Sequence, residues 1–183
     1  YFDNELRIKK RNNLNFKTNQ KVFLYSGSLV GYQFVEGLSQ LFEKILNVPD
    51  NIILMLTSEP DEALKKFNNL LCEKFIILKA LFSEMVDFYN AADFAILIRK
   101  NRNLNFVASP TKFGEYCLTG LPVIMNNSID QSYNIAIKLG NYVSYENIPN
   151  ERFSITKRED IANESLKYFS RSVLNNLYIE LYQ

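Results

Sequence analysis

The sequence has no histidine, only two cysteines and almost no net charge, and each shortage excludes a class of protein. Without histidine, the chain supplies no imidazole base, nucleophile or metal ligand, so a serine-histidine hydrolase is excluded. Cys72 and Cys117 lie far apart in sequence and predict reduced thiols of a cytosolic protein, not a disulfide framework or a metal cluster. With 21 Lys and Arg against 20 Asp and Glu, the net charge of +1 offers no long-range attraction for nucleic acid or an anionic membrane.

Long hydrophobic segments are also missing. No apolar run reaches 18 residues and no signal-like leader is present, so we expect neither a transmembrane helix nor a signal peptide in this sequence. The first residue is Tyr1 instead of methionine, from which we expect a fragment of a longer protein. The 183 residues suffice for one domain with short appendages, and 47% hydrophobic with 22% charged residues are typical of a globular protein with a sizeable core.

Short apolar runs alternate with stretches of helical periodicity along most of the chain. The runs predict strands at residues 22–25, 52–56, 75–78, 94–98, 123–125 and 142–145. Strands that are apolar throughout are covered on both faces, and helical connections make neighbouring strands parallel. The pattern therefore predicts an α/β fold, a Rossmann-like doubly wound parallel sheet of about six strands with closing C-terminal helices. We expect a linker or extended approach at 1–20, the Rossmann-like domain at 21–156 and the closing helices at 157–183.

In sheets of this kind a ligand binds beyond the carboxyl ends of the strands, so the strand-to-helix loops are where a site is expected. The first such loop reads Ser26-Gly27-Ser28-Leu29-Val30-Gly31. Its glycines allow a tight turn and a close approach of a ligand to backbone N–H groups. The alternative is that Gly27 and Gly31 serve only the turn.

The second unusual loop runs from Arg99 to Pro122 and begins after a predicted buried strand. Four cations lie around a predicted helix start, namely Arg99, Lys100, Arg102 and Lys112. Ser109 suits the N-cap position of that helix and Pro110 its first position. A helix start surrounded by cations favours a bound phosphate, since the helix dipole is positive at this end.

The same helix start offers backbone donors and a carboxylate. The N–H groups of Thr111, Lys112 and Phe113 are expected to point out of the helix N-terminus. Glu115 lies one turn beyond Thr111 on the same side of the helix, where it can accept hydrogen bonds from the hydroxyls of a sugar next to that phosphate. The alternative is that Lys112 and Glu115 form an ordinary surface pair three residues apart.

A sequence run in this second loop resembles a known motif. The run Ser-Pro-Thr-Lys-Phe-Gly-Glu-Tyr at 109–116, followed by Gly-Leu-Pro-Val-Ile at 120–124, looks like the donor-binding motif of GT-B glycosyltransferases of family 4, the group 1 type. Further likenesses are the Gly27 loop, Ala-Ala-Asp at 91–93 before the strand ending in Arg99, and the tyrosine-rich end of the chain. The resemblance spans about residues 21–183 and implies the C-terminal, nucleotide-sugar-binding half of such an enzyme, without its N-terminal acceptor half.

The resemblance also implies a role for individual residues. Glu115 would accept hydrogen bonds from the donor ribose, while the Gly27 loop and the helix N-terminus would hold the diphosphate. Arg99 and Lys112, the implied catalytic residues, would neutralise the diphosphate as it leaves. Residues 78–81 would read the base, largely through the backbone. The implied substrate-binding residues are Gly27, Ser28, Leu78, Lys79, Ala80, Ser109, Pro110, Thr111, Phe113 and Glu115.

By this resemblance the protein would be a hexosyl-type, retaining glycosyltransferase of bacterial polysaccharide biosynthesis. It would move a sugar from a UDP-sugar or GDP-sugar to a glycan or lipid-linked acceptor held by the missing N-terminal domain. No metal and no cofactor beyond the donor substrate are expected, and the fragment alone would be inactive. We expect a cytoplasmic protein, with any association at the inner face of the membrane residing in the missing part.

Departures from the family pattern leave two alternatives open. Val107 stands where the family has a second glutamate, and Ser28 and Gln33 stand where many members have Arg and Lys. The dipeptide at 129–130 replaces a common glycine pair. A degenerate, non-catalytic GT-B domain acting in protein association would tolerate these changes. A sugar-nucleotide epimerase half shares the sheet, although such an enzyme usually needs additional acid–base side chains, including histidine.

Overall fold

Strands and helices alternate along the described part of the chain. A computed structural model describes residues 1–29, 34–100, 111–170 and 173. The strands are β1 (Lys21–Ser26), β2 (Asn51–Leu56), β3 (Phe75–Leu78), β4 (Phe94–Leu97), β5 (Val123–Met125) and β6 (Tyr142–Ser144). The α-helices are α1 (Asn4–Asn13), α2 (Val35–Leu46), α3 (Pro60–Lys66), α4 (Met85–Ala91), α5 (Thr111–Leu118), α6 (Asp130–Leu139) and α7 (Ile155–Phe169). Short 3₁₀ helices cover Asn68–Leu70 and Phe82–Glu84.

The described strands form one parallel sheet in the order β3-β2-β1-β4-β5-β6. Phe23 of β1 lies in register with Ile53 of β2 on one side and Phe94 of β4 on the other. Successive strands are added outward from β1 on one side up to β3, and then on its other side from β4 onward. This reversal opens a crevice at the carboxyl ends of β1 and β4, which is where ligands bind in sheets of this kind. The predicted doubly wound parallel sheet is confirmed.

Helices cover both faces of this sheet because its strands are apolar on both sides. On one face, Phe42 of α2 and Phe67 at the end of α3 pack on each other, their rings 5.2 Å apart, in the same core cluster as Phe23. On the other face, Phe88 of α4 and helices α5 and α6 pack over Leu24. Each large apolar side chain that becomes fully buried contributes about 1.5–3 kcal/mol. The two cores hold the ends of β1, α4 and α5 at fixed positions around the crevice.

The expectation of a linker or extended approach at residues 1–20 was wrong for Asn4–Asn13, which form helix α1. Asp3 caps this helix, since its carboxylate accepts from the N–H groups of Glu5 and Leu6 at 2.9 and 3.0 Å. The buried residues of α1 are Arg7 and Arg11, four positions apart on one face. A search for apolar periodicity does not detect a helix whose buried face is made of guanidinium groups.

Asp93, in the turn between α4 and β4, anchors α1 to the sheet. Its buried carboxylate pairs with Arg7 at 2.5 Å, Arg11 at 3.2 Å and Arg152 at 3.3 Å, and accepts from the Val22 N–H at 2.8 Å. The side chain of Asp93 is only 2% exposed. A single buried carboxylate therefore contacts three guanidinium groups and is the shared anionic partner of all three.

Carbonyl oxygens at the end of α4 supply the remaining acceptors for these arginines. Arg7 donates to the carbonyls of Asn90, Ala91 and Ala92 at 2.7–3.1 Å. The buried Arg158 of α7 donates to Ala92 at 2.9 Å, so α1 and α7 meet at the same helix end. The negative end of the helix dipole favours cations at this place.

In the C-terminal part of the chain, the structure describes the residues up to Ser170 and, beyond it, residue 173. Helix α7 lies where the first closing helix was predicted, and it packs against α5 through Phe169 and Phe113, whose rings are 5.8 Å apart. Residues 174–183 lie outside the described part, so the predicted division into three segments stays a prediction. Among the described residues, no helix is long and apolar enough to cross a membrane.

Neither cysteine forms a disulfide. Cys72 is exposed, whereas Cys117 is buried on α5. Burial raises the pKa of the Cys117 thiol to about 12, so this side chain stays a neutral thiol at physiological pH.

Candidate functional site

A pocket of about 330 Å³ opens at the carboxyl ends of β1, β2 and β3, between α4 and α5. Its lining comes from loops that are distant in sequence but meet at this edge of the sheet. The lining residues are Ser26, Gly27, Ser28, Leu56, Thr57, Ser58, Ala80, Phe82, Met85, Tyr89, Thr111, Lys112 and Glu115. Six of the residues predicted from the sequence are among them, namely Gly27, Ser28, Ala80, Thr111, Lys112 and Glu115.

The loop after β1 brings backbone close to a lysine. A β-carbon placed on Gly27 would lie 3.3 Å from Lys112 Nζ and 3.3 Å from Tyr25 Oη, and the residue has a φ of 154°. A side chain at this position would be strained at this φ and would crowd both neighbouring side chains, which favours glycine. The close approach of a ligand to this backbone stays a prediction. The Tyr25 hydroxyl donates to the Ser28 carbonyl and Lys66 Nζ to the Leu29 carbonyl, each at 3.0 Å, which fixes the loop.

Helix α5 presents Thr111, Lys112 and Glu115 to this pocket and turns Phe113 away from it. The Phe113 side chain is buried against the core, so only its backbone N–H belongs to the helix start. The N–H groups of the first turn have no acceptor within the helix itself. Residues of this turn line the same pocket as Gly27. Among the described ion pairs, Lys112 and Glu115 form none, so the alternative of an ordinary surface pair is not observed.

Lys112 lies within the electrostatic influence of a second positive charge, that of Arg99. Burial lowers the pKa of Lys112, the positive charge of Arg99 lowers it further, and the carboxylate of Glu115 acts in the opposite direction. Arg99 follows β4, and its backbone is held by Asn126, which accepts from its N–H at 3.3 Å and donates to its carbonyl at 2.8 Å. Arg99 does not line the pocket, but its field acts on Lys112. An anion bound beside Lys112 would relieve this repulsion.

Glu115 is held by a tyrosine that the sequence did not point to. The Tyr89 hydroxyl of α4 donates to Glu115 Oε2 at 2.8 Å. The neighbouring Tyr116 hydroxyl shares a hydrogen bond of 2.9 Å with Ser26 Oγ, and its ring meets that of Tyr89 edge-on at 5.2 Å. Burial raises the pKa of Tyr116 to about 12, and burial together with the Glu115 carboxylate raises that of Tyr89. Both phenols are therefore neutral donors at physiological pH.

The β3 side of the pocket is apolar. Ala80, Phe82 and Met85 form it, and the Phe82 side chain is 86% exposed to solvent. Of the predicted neighbours, Leu78 lies within β3 and its carbonyl accepts from the Thr57 N–H at 3.0 Å. Lys79 is exposed, and neither it nor Leu78 lines the pocket. Of the loop residues that border the pocket, the sequence predicted Ala80 but not Phe82 or Met85.

Some predicted positions lie outside the described residues. These are Gly31 and Gln33 of the first loop, and Arg102, Val107, Ser109 and Pro110 of the second. The N-cap and first-turn roles of Ser109 and Pro110 therefore stay predictions, although α5 begins directly after them, at Thr111.

The solved structures that match most of this chain in fold include the following three. WaaG, a glycosyltransferase involved in lipopolysaccharide biosynthesis, matches with a TM-score of 0.60 and 14% identity over 87% of this chain and 42% of its own. TarM of S. aureus, in complex with fondaparinux, alpha-GlcNAc-glycerol and UDP, matches with a TM-score of 0.59 and 12% identity over 90% of this chain and 36% of its own. HepE of Anabaena, in complex with UDP-glucose, matches with a TM-score of 0.66 and 16% identity over 99% of this chain and 55% of its own.

This chain has a glycosyltransferase-like fold. At these identities the matches establish the fold alone, a six-stranded parallel Rossmann-like sheet with flanking helices. The chain spans between 36% and 55% of each of the three solved chains. No protein-family model matches it, and no curated protein sequence matches it significantly.

Proposed function

We propose that this chain is the donor-binding domain of a GT-B glycosyltransferase of family 4 and binds a nucleotide diphosphate sugar in the pocket between α4 and α5. The observation that carries the proposal is the position of Lys112. Its ammonium lies 3.3 Å from the place that a β-carbon on Gly27 would occupy and within the field of Arg99, in the same pocket as Glu115. A cationic end and a carboxylate in one pocket suit a diphosphate joined to a sugar. The solved HepE complex with UDP-glucose, of the same fold, supports this class of ligand.

The cationic end suits the diphosphate. Gly27, Ser28, Thr111 and Lys112 all line the pocket, and a β-carbon placed on Gly27 would lie 3.3 Å from Lys112 Nζ. Oriented N–H groups and cations that face one point bind phosphate without rearrangement. Arg99 adds positive potential from outside the lining.

The rest of the nucleotide fits the remaining surfaces. The Glu115 carboxylate accepts hydrogen bonds from the ribose hydroxyls, one turn along α5 from the diphosphate. The base lies against the apolar side formed by Ala80, Phe82 and Met85, where the exposed Phe82 ring offers a face for stacking. Such a surface accepts uracil or guanine, in keeping with UDP-sugar or GDP-sugar as donor.

In the proposed reaction the bond between the anomeric carbon and the diphosphate oxygen breaks, and the diphosphate leaves with the electron pair. The acceptor hydroxyl oxygen forms the new bond to the anomeric carbon, and its proton passes to the oxygen of the leaving diphosphate. Lys112 and Arg99 stabilise the charge that develops on the leaving diphosphate, which makes catalysis electrostatic and independent of a metal. The proposed transfer moves a hexosyl group with retention of configuration. The acceptor is a glycan or a lipid-linked glycan, held by an N-terminal domain of the same cytoplasmic enzyme.

Replacing Glu115 with alanine is expected to weaken nucleotide diphosphate binding by about 1–3 kcal/mol, the value of hydrogen bonds to a charged acceptor. Calorimetric and thermal-shift titrations with UDP, GDP and ADP measure this, because a ligand of the folded state stabilises it by RT ln(1 + [L]/Kd). The control is Glu164→Ala on α7, which removes an exposed glutamate that pairs only with Lys167 among the described ion pairs. Unchanged nucleotide affinity in Glu115→Ala would remove the assignment of the ribose site. If the complete protein bound none of the three nucleotides, the degenerate, non-catalytic alternative would be favoured.

Nucleotide affinity is also expected to fall as the pH rises above neutral, because burial and the charge of Arg99 lower the pKa of Lys112, which therefore loses its proton below the ordinary lysine range. Bound diphosphate favours the charged ammonium, so deprotonation of the free site weakens binding. The diphosphate itself is fully ionised throughout this range, since its last pKa is about 6. Calorimetric titrations of wild type and Lys112→Met at several pH values measure the effect. An equal pH dependence in both proteins would show that Lys112 is not the titrating group.

A further inference from the structure

The two oxygens of the Glu115 carboxylate have different surroundings. Oε2 accepts from the Tyr89 hydroxyl at 2.8 Å, whereas Oε1 has no hydrogen-bond donor among the described residues. Glu115 and Tyr89 both line the pocket, and Glu115 is half-buried. The hydrogen bond thus engages one oxygen and leaves the other available to a ligand.

Tyr89 is itself held firmly. Its side chain is 1% exposed, and its ring lies edge-on to that of Tyr116 at 5.2 Å and 87°. Tyr116 is fully buried and bonded to Ser26 at the end of β1. Because a close-packed interior keeps such rings in fixed rotamers, the Tyr89 hydroxyl occupies a fixed point relative to the loop after β1. Its donor hydrogen stays in place at physiological pH, since the pKa of the phenol is raised.

We propose that Tyr89 is a positioning residue, which fixes Glu115 so that Oε1 accepts hydrogen bonds from the vicinal hydroxyls of ribose and makes the pocket selective for ribonucleotides. The inference rests on the proposed function, since it concerns the same pocket. A glutamate side chain loses rotamer freedom when it binds a ligand, and this cost lowers affinity. Tyr89 restricts the carboxylate before the ligand arrives, so the nucleotide bears less of that cost.

The test compares two ligands that differ only in the hydroxyls in question. UDP and GDP, each with its 2′,3′-dideoxy counterpart, are titrated by calorimetry into the complete protein and into its Tyr89→Phe variant. Tyr89→Phe is expected to lose about fivefold in affinity for the ribonucleotides, the value of about one hydrogen bond, and less than twofold for the dideoxy forms. Tyr133→Phe, a tyrosine of α6 that packs on Tyr142 away from the pocket, is the matched control.

A second arm separates positioning from a general effect on the pocket. In the Glu115→Ala background, Tyr89→Phe is expected to cause no further loss, because the two residues act through one carboxylate. An equal loss for both ligand forms, or a loss that persists without Glu115, overturns the role of Tyr89. The ligand preference is a ratio within one variant, so partial loss of folded protein does not change it. Wild type that binds none of these nucleotides overturns the proposed function itself, whereas Tyr89→Phe with an unchanged preference overturns only this inference.

Discussion

The Lys112→Met variant is expected to lose about 100- to 1000-fold in kcat/KM for glycosyl transfer by the complete enzyme, the effect typical of removing one preorganised electrostatic donor. The Lys112 ammonium lies next to the Gly27 backbone, where the proposed diphosphate leaves. The diphosphate gains a further negative charge as the bond to the sugar breaks, so losing the cation raises the barrier more than it weakens ground-state binding. Steady-state kinetics with UDP-sugar and GDP-sugar donors measure the loss.

Two controls separate lost chemistry from a damaged fold. Lys44→Met removes an exposed cation on α2, on the opposite face of the sheet, and is expected to leave kcat/KM within twofold. Lys112→Met itself is expected to unfold at a temperature no lower than wild type. The pKa of Lys112 is lowered in the folded state, so the charged form opposes folding at neutral pH and its removal relieves that cost. A kcat/KM of Lys112→Met within twofold of wild type would contradict the catalytic role.

The Asp93→Asn variant is expected to lower the free energy of unfolding by about 3–5 kcal/mol, the cost of leaving buried charges without their partner. The substituted amide keeps the size of the side chain and an oxygen for the Val22 N–H. It carries no charge to balance Arg7, Arg11 and Arg152, all of which contact the carboxylate of the wild type. Urea unfolding followed by circular dichroism measures the change, which corresponds to a melting shift on the order of 10 °C for a chain of this length.

Two further variants test whether unbalanced arginine charges cause this loss of stability. Glu164→Gln breaks the exposed pair with Lys167 and is expected to cost less than about 1 kcal/mol, since solvent screens such pairs. In the Asp93→Asn background, adding Arg11→Met should cost less than the same change in wild type, because it removes one of the unbalanced charges. If Asp93→Asn lost less than about 1 kcal/mol, the carbonyls at the end of α4 would be sufficient partners for the arginines.

Helix α1 shows where reasoning from the sequence fails. The apolar runs of β1 to β5 are uninterrupted, and all but β3, which is mostly half-buried, are buried, so they were recognised from the sequence alone. Helix α1 buries Arg7 and Arg11, and those charges are tolerable only because Asp93 and the α4 carbonyls, about 80 residues away in sequence, meet them. No pattern in the sequence near Arg7 and Arg11 indicates these distant partners. The Asp3 cap was the one readable signal, and without an apolar stripe behind it the sequence did not favour a helix.

The sequence alone determined the fold class and the loops that meet at the pocket, because both follow from local patterns. Buried strands alternating with helices require a parallel sheet, and a parallel sheet brings all strand-to-helix loops to one edge. Gly27, Lys112 and Glu115 were found in this way, as residues of turns and of a helix start. Only the tertiary structure decided that Tyr89 and Phe82 border the pocket and that Leu78 does not. The face that each helix turns toward the pocket depends on packing between elements that are distant in sequence.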